Sequence, residues 1–218
     1  MRYDLIIFDL DGTLLNTIGD LAEAANVMLR QRNLPQHTYE EYCTFVGNGI
    51  MRLVERALPE ELRTAESLAA ARQDFLNYYF AHIDQKTKPY EGIVQLLGDL
   101  QAAGVLLAVA SNKFQAGTRE LIHRFFPEIR WVAVYGQRPD VPLKPDPAVV
   151  EEILSGVNIS RERVLYVGDS GVDIETAHRA GIKAVGVTWG FRSRSELETA
   201  GADRIVDRAE EILDLCQA

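Results

Sequence analysis

The chain has 218 residues, 47% of them hydrophobic, which is enough for one sizeable core with a smaller appended unit. Asp and Glu outnumber Lys and Arg by 32 to 23, and the net charge of -9 disfavours nonspecific binding to nucleic acid or to an anionic membrane. Small solutes are the partners left to consider, for a monomer or homodimer.

The first apolar run, residues 3–8, is too evenly apolar for a strand with one wet face and predicts a strand covered on both sides. It closes in Asp9-Leu10-Asp11-Gly12-Thr13. From about Ile18 to Asp84 no strand candidate follows. Ile18, Leu21, Ala22, Ala25, Met28 and Leu29 keep a helical period, as do Leu68, Ala71, Phe75 and Tyr79. This predicts an all-helical insertion of about 67 residues, 18–84. Its flanks, Leu15-Asn16-Thr17 and Lys86-Thr87-Lys88-Pro89, are the expected hinges. Ile93, Leu96, Leu97 and Leu100 then trace a helix that Gly104 stops. Buried strands are predicted at 105–110 and 131–135. Asp146-Pro147 opens a helix that turns Val149, Val150, Ile153 and Leu154 inward, and strands at 164–167 and 184–187 complete the pattern.

Strand, helix and strand at this spacing imply right-handed crossovers and a parallel sheet. The expected fold is α/β, a doubly wound parallel sheet carrying an inserted all-helical domain. The core is assigned to residues 1–16 and 86–218 and the helical domain to 17–85. No apolar run approaches the roughly 20 residues that span a bilayer, and charges punctuate the first residues, MRYDLIIFDLDG, so neither a membrane anchor nor an export leader is expected. Cys43 and Cys216 lack metal-type spacing. A reduced, cytoplasmic compartment follows, with Asn158-Ile159-Ser160 a chance sequon.

The polar residues gather where strands end. After the first strand come Asp9 and Asp11, after the second Ser111-Asn112-Lys113, and after the fourth Asp169 and Asp173, while Lys144 precedes Pro145 in the loop leading to that fourth strand. In an open parallel sheet the carboxyl ends are where ligands bind. Asp9 and Asp11 alternate with Leu10, so an extended backbone turns both carboxylates to one side. Asp173, four residues beyond Asp169, can enter the first turn of a helix, where its charge suits the dipole. Carboxylates so gathered repel by about 4 kcal/mol per pair at ~4 Å and an effective dielectric near ~20, so a cation is needed among them. An all-oxygen donor set without His or Cys specifies a hard ion, Mg²⁺ before Ca²⁺. Taken singly, Asp-x-Asp is a turn, Ser-Asn a helix start and Lys-Pro a solvated loop. Their joint occurrence on one rim is what points to a site.

Asp9-Leu10-Asp11-Gly12-Thr13, Ser111-Asn112, Lys144-Pro145 and Gly168-Asp169-x-x-x-Asp173 resemble, in order, the four motifs of the haloacid dehalogenase superfamily. "VGNG" at 46–49, "ERAL" at 55–58 and "GVTWGF" at 186–191 resemble its phosphoglycolate phosphatase branch, whose members carry a helical cap after the first motif. The resemblance implies that Asp9 attacks phosphorus and becomes an aspartyl phosphate, and that Asp11 protonates the leaving alcohol and later deprotonates water. It implies Mg²⁺ held by Asp9, the Asp11 main-chain carbonyl and Asp169, with Asp173 anchoring the metal's waters. Ser111, Asn112 and Lys144 would hold the phosphoryl oxygens.

The implied substrate is a small phosphorylated metabolite, 2-phosphoglycolate first. A sugar phosphomutase of the β-phosphoglucomutase kind and a pyrophosphatase share the same core residues. A phosphoryl-accepting signalling module also places acids and a lysine at strand ends, but gains nothing from a 67-residue lid, 18–84, or from the Asp9-x-Asp11 spacing. In the insertion, Gly47-Asn48-Gly49 is a turn between helices or a loop facing the site, and Arg52 and Arg56 are candidates for a substrate carboxylate. His37, His82, His123 and His178 show no ligand spacing and are expected to be structural. Asn16 departs from the acid often found in relatives at that place.

Overall fold

Leu5, Ile6, Ile7 and Phe8 form strand β1 (Leu5–Phe8), and all four side chains are fully buried. Their alternation feeds two different apolar clusters: Ile6 and Phe8 join one, Leu5 and Ile7 the other, as the two-residue period of a strand requires. The computed structural model describes residues 1–217. After β1 come β2 (Leu15–Asn16) and four helices, α1 (Ile18–Gln31), α2 (Tyr39–Phe45), α3 (Ile50–Ala57) and α4 (Ala65–Ala81). The chain returns through β3 (Lys88–Pro89), α5 (Ile93–Ala102), β4 (Leu106–Phe114), α6 (Gln115–Phe125) and β5 (Trp131–Gln137). It finishes with α7 (Ala148–Ser155), β6 (Val164–Gly168), α8 (Gly171–Arg179), β7 (Lys183–Val187), α9 (Arg194–Thr199), β8 (Arg204–Val206) and α10 (Glu210–Gln217).

The main sheet has the order β5-β4-β1-β6-β7-β8, and every pairing in it is parallel. Residues of α5, α6 and α10 pack on one face, and residues of α7, α8 and α9 on the other. The α/β doubly wound class expected from the sequence is therefore the observed one. β1 sits centrally, with β4 on one side and β6 on the other, so the carboxyl end of β1 lies where the winding reverses.

Several elements differ from expectation: β5, expected to be buried, is the edge strand of the sheet and is mostly half-buried with Val132 exposed, and the two-residue β2 and β3 were not foreseen. β4 runs to Phe114 rather than stopping at residue 110, because pairing with β5 resumes at Phe114↔Gln137 after a register shift beyond Ala110↔Tyr135. The intervening Ser111-Asn112-Lys113 thus bulges from within a strand, a device that re-aims side chains. β8 was not foreseen, since three residues are too short to display a period. α7 begins at Ala148, after Asp146 has accepted the Ala148 N–H at 2.9 Å in the turn before it.

The insertion is wholly helical between β2 and β3, and those two segments pair with each other as a short antiparallel ribbon, Leu15↔Pro89 and Asn16↔Lys88. Its apolar residues, among them Leu21, Met28, Tyr42, Leu53 and Phe75, are continuous with the cluster beneath one sheet face. No helix among the described residues is long and apolar enough to cross a membrane.

A buried carboxylate ties the two ends of the insertion. Asp20, in the first turn of α1, accepts the main-chain N–H of Lys86 at 2.9 Å, that of Thr87 at 2.8 Å and the Thr87 hydroxyl at 2.7 Å. Asp20→Ala would strand these donors, and buried donors without partners are expensive. The expected loss of stability is about 2–4 kcal/mol, read from urea denaturation. A loss within experimental scatter would show that water replaces the carboxylate.

Candidate active site

Asp9 continues the line of β1, its N–H bonded to Val167 O at 2.9 Å, and the chain then turns through Gly12. Leu10 is buried in the apolar cluster, while Asp9 and Asp11 both line one pocket. The bulge of β4 sends Ser111, Asn112 and Lys113 into the same pocket. Asp169 and Ser170 join from the end of β6. Gly12, at φ +91°, makes room for this: a Cβ there would stand 2.3 Å from Asp169 Oδ2. A Cβ on Gly190 would come within 2.3 Å of the Asp169 Cβ.

Lys144 and Asp173 lie below that pocket and do not line it. The Lys144 ammonium donates to Ala110 O at 2.9 Å, Tyr166 Oη at 3.0 Å and Asp173 Oδ1 at 2.7 Å, which uses all its protons. It also stands 2.9 Å from Asp9 Oδ1, an ion pair that holds the Asp9 carboxylate from below. Asn112 fixes the lysine's main chain from both sides, accepting Lys144 N–H at 2.9 Å and donating to Lys144 O at 3.1 Å. Asp173 occupies the first turn of α8, where Oδ2 accepts the Ser170 N–H and hydroxyl at 3.1 and 2.6 Å.

Oxygens of Asp9, Asp169 and Asp173 lie within 4.8 Å of one another, and all three residues are buried. Burial pushes the Asp9 carboxyl up to about 7 against the opposing charge of Lys144, and the charges of Asp173 and Asp11 add to the rise. Burial, with Asp173 and Asp9, also raises Asp169 well above the carboxylate range. Burial works against the Lys144 ammonium as well, yet Asp173 and Asp9 hold its pKa well above the ordinary lysine value. When ionised, three carboxylates and one ammonium leave two negative charges, the complement of a divalent cation. The oxygen-only donor set of Asp9 and Asp169 fits such an ion, whereas Asp9 Oδ1 is paired with Lys144 and both Asp173 oxygens are already engaged.

Residues 6–187 match the family of haloacid dehalogenase-like hydrolases. The chain belongs to that family. It is 35% identical over 199 residues to a phosphoglycolate phosphatase of Mesorhizobium japonicum, covering 89% of this chain and 86% of the relative. It is 33% identical to one of Caulobacter vibrioides over 97% of this chain and 90% of the relative. A solved structure from Lactobacillus delbrueckii subsp. bulgaricus, provisionally named a phosphoglycolate phosphatase, superposes with a TM-score of 0.92 at 32% identity and covers 99% of both chains. Within the haloacid dehalogenase-like hydrolases this chain is of the phosphatase kind.

The insertion closes the pocket with Leu21, Val46, Gly47, Gly49, Ile50 and Leu53. Gly47-Asn48-Gly49 is both a turn between α2 and α3 and a wall of the site, because Asn112 donates to Gly47 O at 3.0 Å. Asn48 itself does not line the pocket and accepts from Arg56 at 2.9 Å. Arg56 also donates to Phe45 O, so it braces this loop instead of offering itself to a ligand. Arg52 is a correction: α3 turns Ile50 and Leu53 to the pocket, and Arg52 projects into solvent, 2.5 Å from Glu55.

Lys113, Phe191 and Arg192 line the pocket and were not assigned from sequence. Lys113 could have been read from its place in the strand-end triplet. Arg192 could not, because it reaches Cys43 O and Val46 O, carbonyls about 150 residues away that bear no side-chain signal. Phe191 N–H donates to Asp169 Oδ2 at 2.7 Å, and Trp189 Nε1–H to Thr13 O at 3.0 Å, so the loop after β7 holds both the segment after β6 and the segment after β1.

Lys144→Met keeps the volume of the side chain but leaves Asp9 and Asp173 buried without their cation. Uncompensated buried charge predicts a loss of about 3–5 kcal/mol by chemical denaturation. Added divalent cation should recover part of that loss; equal stability with and without it would remove the case for a metal at this cluster.

Proposed function

We propose that the protein is a Mg²⁺-dependent phosphomonoester hydrolase that works through an aspartyl phosphate on Asp9. The observation that carries this reading is the cluster of buried Asp9, Asp169 and Asp173 oxygens within 4.8 Å of one another, at a pocket that Asp9 and Asp169 line together with Asp11. Asp9, Asp169 and the Asp11 main-chain carbonyl would hold the ion, with Asp173 steadying its waters. A bound Mg²⁺ would neutralise the gathered carboxylates and the charge of the phosphoryl group.

In the first step an Asp9 oxygen forms a bond to phosphorus, the bond from phosphorus to the ester oxygen breaks, and Asp11 gives that oxygen a proton. In the second, Asp11 takes a proton from water, the water oxygen bonds to phosphorus, and the Asp9–phosphorus linkage breaks to release phosphate. Ser111 and the Asn112 main chain meet the phosphoryl oxygens from the bulge of β4. Lys144, with its donors engaged, contributes positive charge from below and keeps Asp9 in place.

Residues 17–85 act as a cap over this chemistry, and the ribbon of β2 and β3 is the hinge. Closure puts an apolar wall of Leu21, Val46, Ile50 and Leu53 over the reacting group and excludes water. The substrate is a small phosphorylated metabolite, and 2-phosphoglycolate is the best reading. Two relatives carry its name, and Arg192 gives the pocket wall positive charge for its carboxylate.

Asp9→Asn should abolish turnover with the fold retained, and single turnover in heavy-oxygen water should place the isotope on Asp9 of the wild-type protein. An unlabelled Asp9 alongside labelled phosphate would sink the covalent route. Asp11→Asn should slow turnover by about 10²–10⁴-fold. Chelation should remove activity and Mg²⁺ restore it, with 2-phosphoglycolate leading hexose phosphates and pyrophosphate in kcat/KM; a different leader would reassign the substrate.

A further inference from the structure

Lys113 is a second buried ammonium at the site, its side chain only 2% exposed, and none of the steps above uses it. Its Nζ lies 3.2 and 3.3 Å from the two Asp11 oxygens and donates to Tyr79 Oη at 2.6 Å. The three residues come from three separate parts of the chain: Asp11 from the loop after β1, Lys113 from the bulge of β4, and Tyr79 from α4 of the insertion. Among the described residues this is the ion pair recorded for Asp11.

Both ends of the relay are rigid. The Lys113 N–H donates to Ser111 Oγ at 3.3 Å, its carbonyl accepts from Thr118 Oγ1 at 3.2 Å, and a Cβ on Gly136 would press to 2.4 Å from that carbonyl. Tyr79 is fully buried, stacked on Phe75 at 5.4 Å and edge-on to Phe114 at 6.1 Å. The ammonium lies beyond the hydroxyl, 4.7 Å from Nζ to the ring centroid. With main chain and ring both fixed, the ammonium has one place to stand, and the Asp11 carboxylate is drawn to it.

We propose that Lys113 is a positioning residue that sets the orientation of the Asp11 carboxylate, and that Tyr79 of the insertion seats Lys113, so that Asp11 is aimed only while the helices pack on the core. The proposal rests on the reading of Asp11 as the acid–base group. A long ammonium–carboxylate contact leaves Asp11 free to exchange its partner for the ester oxygen, whereas the shorter bond to Tyr79 keeps the lysine from following. A shift of α4 that breaks the bond from Tyr79 frees the ammonium, which then no longer directs Asp11.

The test uses leaving-group dependence, which a merely structural role would not move. An alkyl phosphomonoester needs a proton on its departing oxygen, while p-nitrophenyl phosphate departs as a stable phenolate. Because kcat/KM reports only the steps through loss of the leaving group, it isolates the proton transfer from later hydrolysis of the phosphoenzyme. For Asp11→Asn, the loss in kcat/KM on 2-phosphoglycolate should exceed the loss on p-nitrophenyl phosphate by about 100-fold. Lys113→Met should show the same bias at about 10-fold or more, and Tyr79→Phe, which keeps the ring and its stacking, at about 3–10-fold.

If Asp11→Asn shows the bias but Lys113→Met and Tyr79→Phe lower both substrates equally, or raise only KM for the carboxylated one, the positioning role is overturned and Lys113 is a substrate contact. If Asp11→Asn itself shows no bias, the acid–base reading has failed first and the proposal falls with it. Thermal melting identifies a Lys113→Met protein that does not fold, in which case Tyr79→Phe alone decides.

Discussion

The Lys144 ammonium, buried between Asp9 and Asp173, is the constraint on which the site depends. It is held by an oxygen from β4, a phenol from β6 and a carboxylate from α8, so three neighbouring segments of the sheet layer converge on one charge. A charge so far from water survives only with full hydrogen bonding, and the arrangement supplies it. The consequence reaches upward: one oxygen of Asp9 is pinned 2.9 Å from the ammonium. The carboxylate is thereby held in place where it lines the pocket beside Asp11 and Asp169.

The same arrangement explains what sequence could and could not reveal. Asp9, Asp11, Ser111, Asn112, Lys144, Asp169 and Asp173 were legible because their chemistry restricts residue type and the parallel sheet restricts their position to strand ends. The five longer strands and the helical insertion were legible from period and evenness of hydrophobicity. β8 was not, for it has only three residues. Ser111-Asn112-Lys113 was expected beyond its strand, and a bulge has no reliable signature in residue type. Arg52 misled because an arginine near a glycine turn suggests a ligand, while the phase of α3 is set by Ile50, Leu53 and Val54, whose burial turns position 52 outward. Arg192 was invisible because its partners are main-chain carbonyls.

That last point bears on how the insertion is joined to the core. Asn112 and Arg192, one within the bulge of β4 and the other beside the Asp169 loop, both reach up to carbonyls of residues 43–47. Carbonyl tethers do not depend on the side chains of the loop they hold, so its sequence is free to vary with the substrate while its position is kept. Side-chain recognition would have tied docking and specificity to the same residues.

These tethers also limit how tightly the insertion is held. Hydrogen bonds net only about 0.5–1.5 kcal/mol each, and about 1.5–3 kcal/mol where a charge takes part, so the few contacts from Asn112 and Arg192 amount to several kcal/mol at most. The stronger hold is apolar, since the cluster that includes Leu21, Leu53 and Phe75 runs without a break into the core beneath the sheet. On the proposed reading, motion of the cap cannot be a simple lifting of all four helices, because that would expose this cluster. A smaller rotation about the β2–β3 ribbon, with Asp20 keeping α1 bound to the returning strand, opens the pocket wall at Val46–Leu53 and leaves the base of the insertion packed. The groups that sense such a rotation are those of the 43–47 loop, tethered by Asn112 and Arg192.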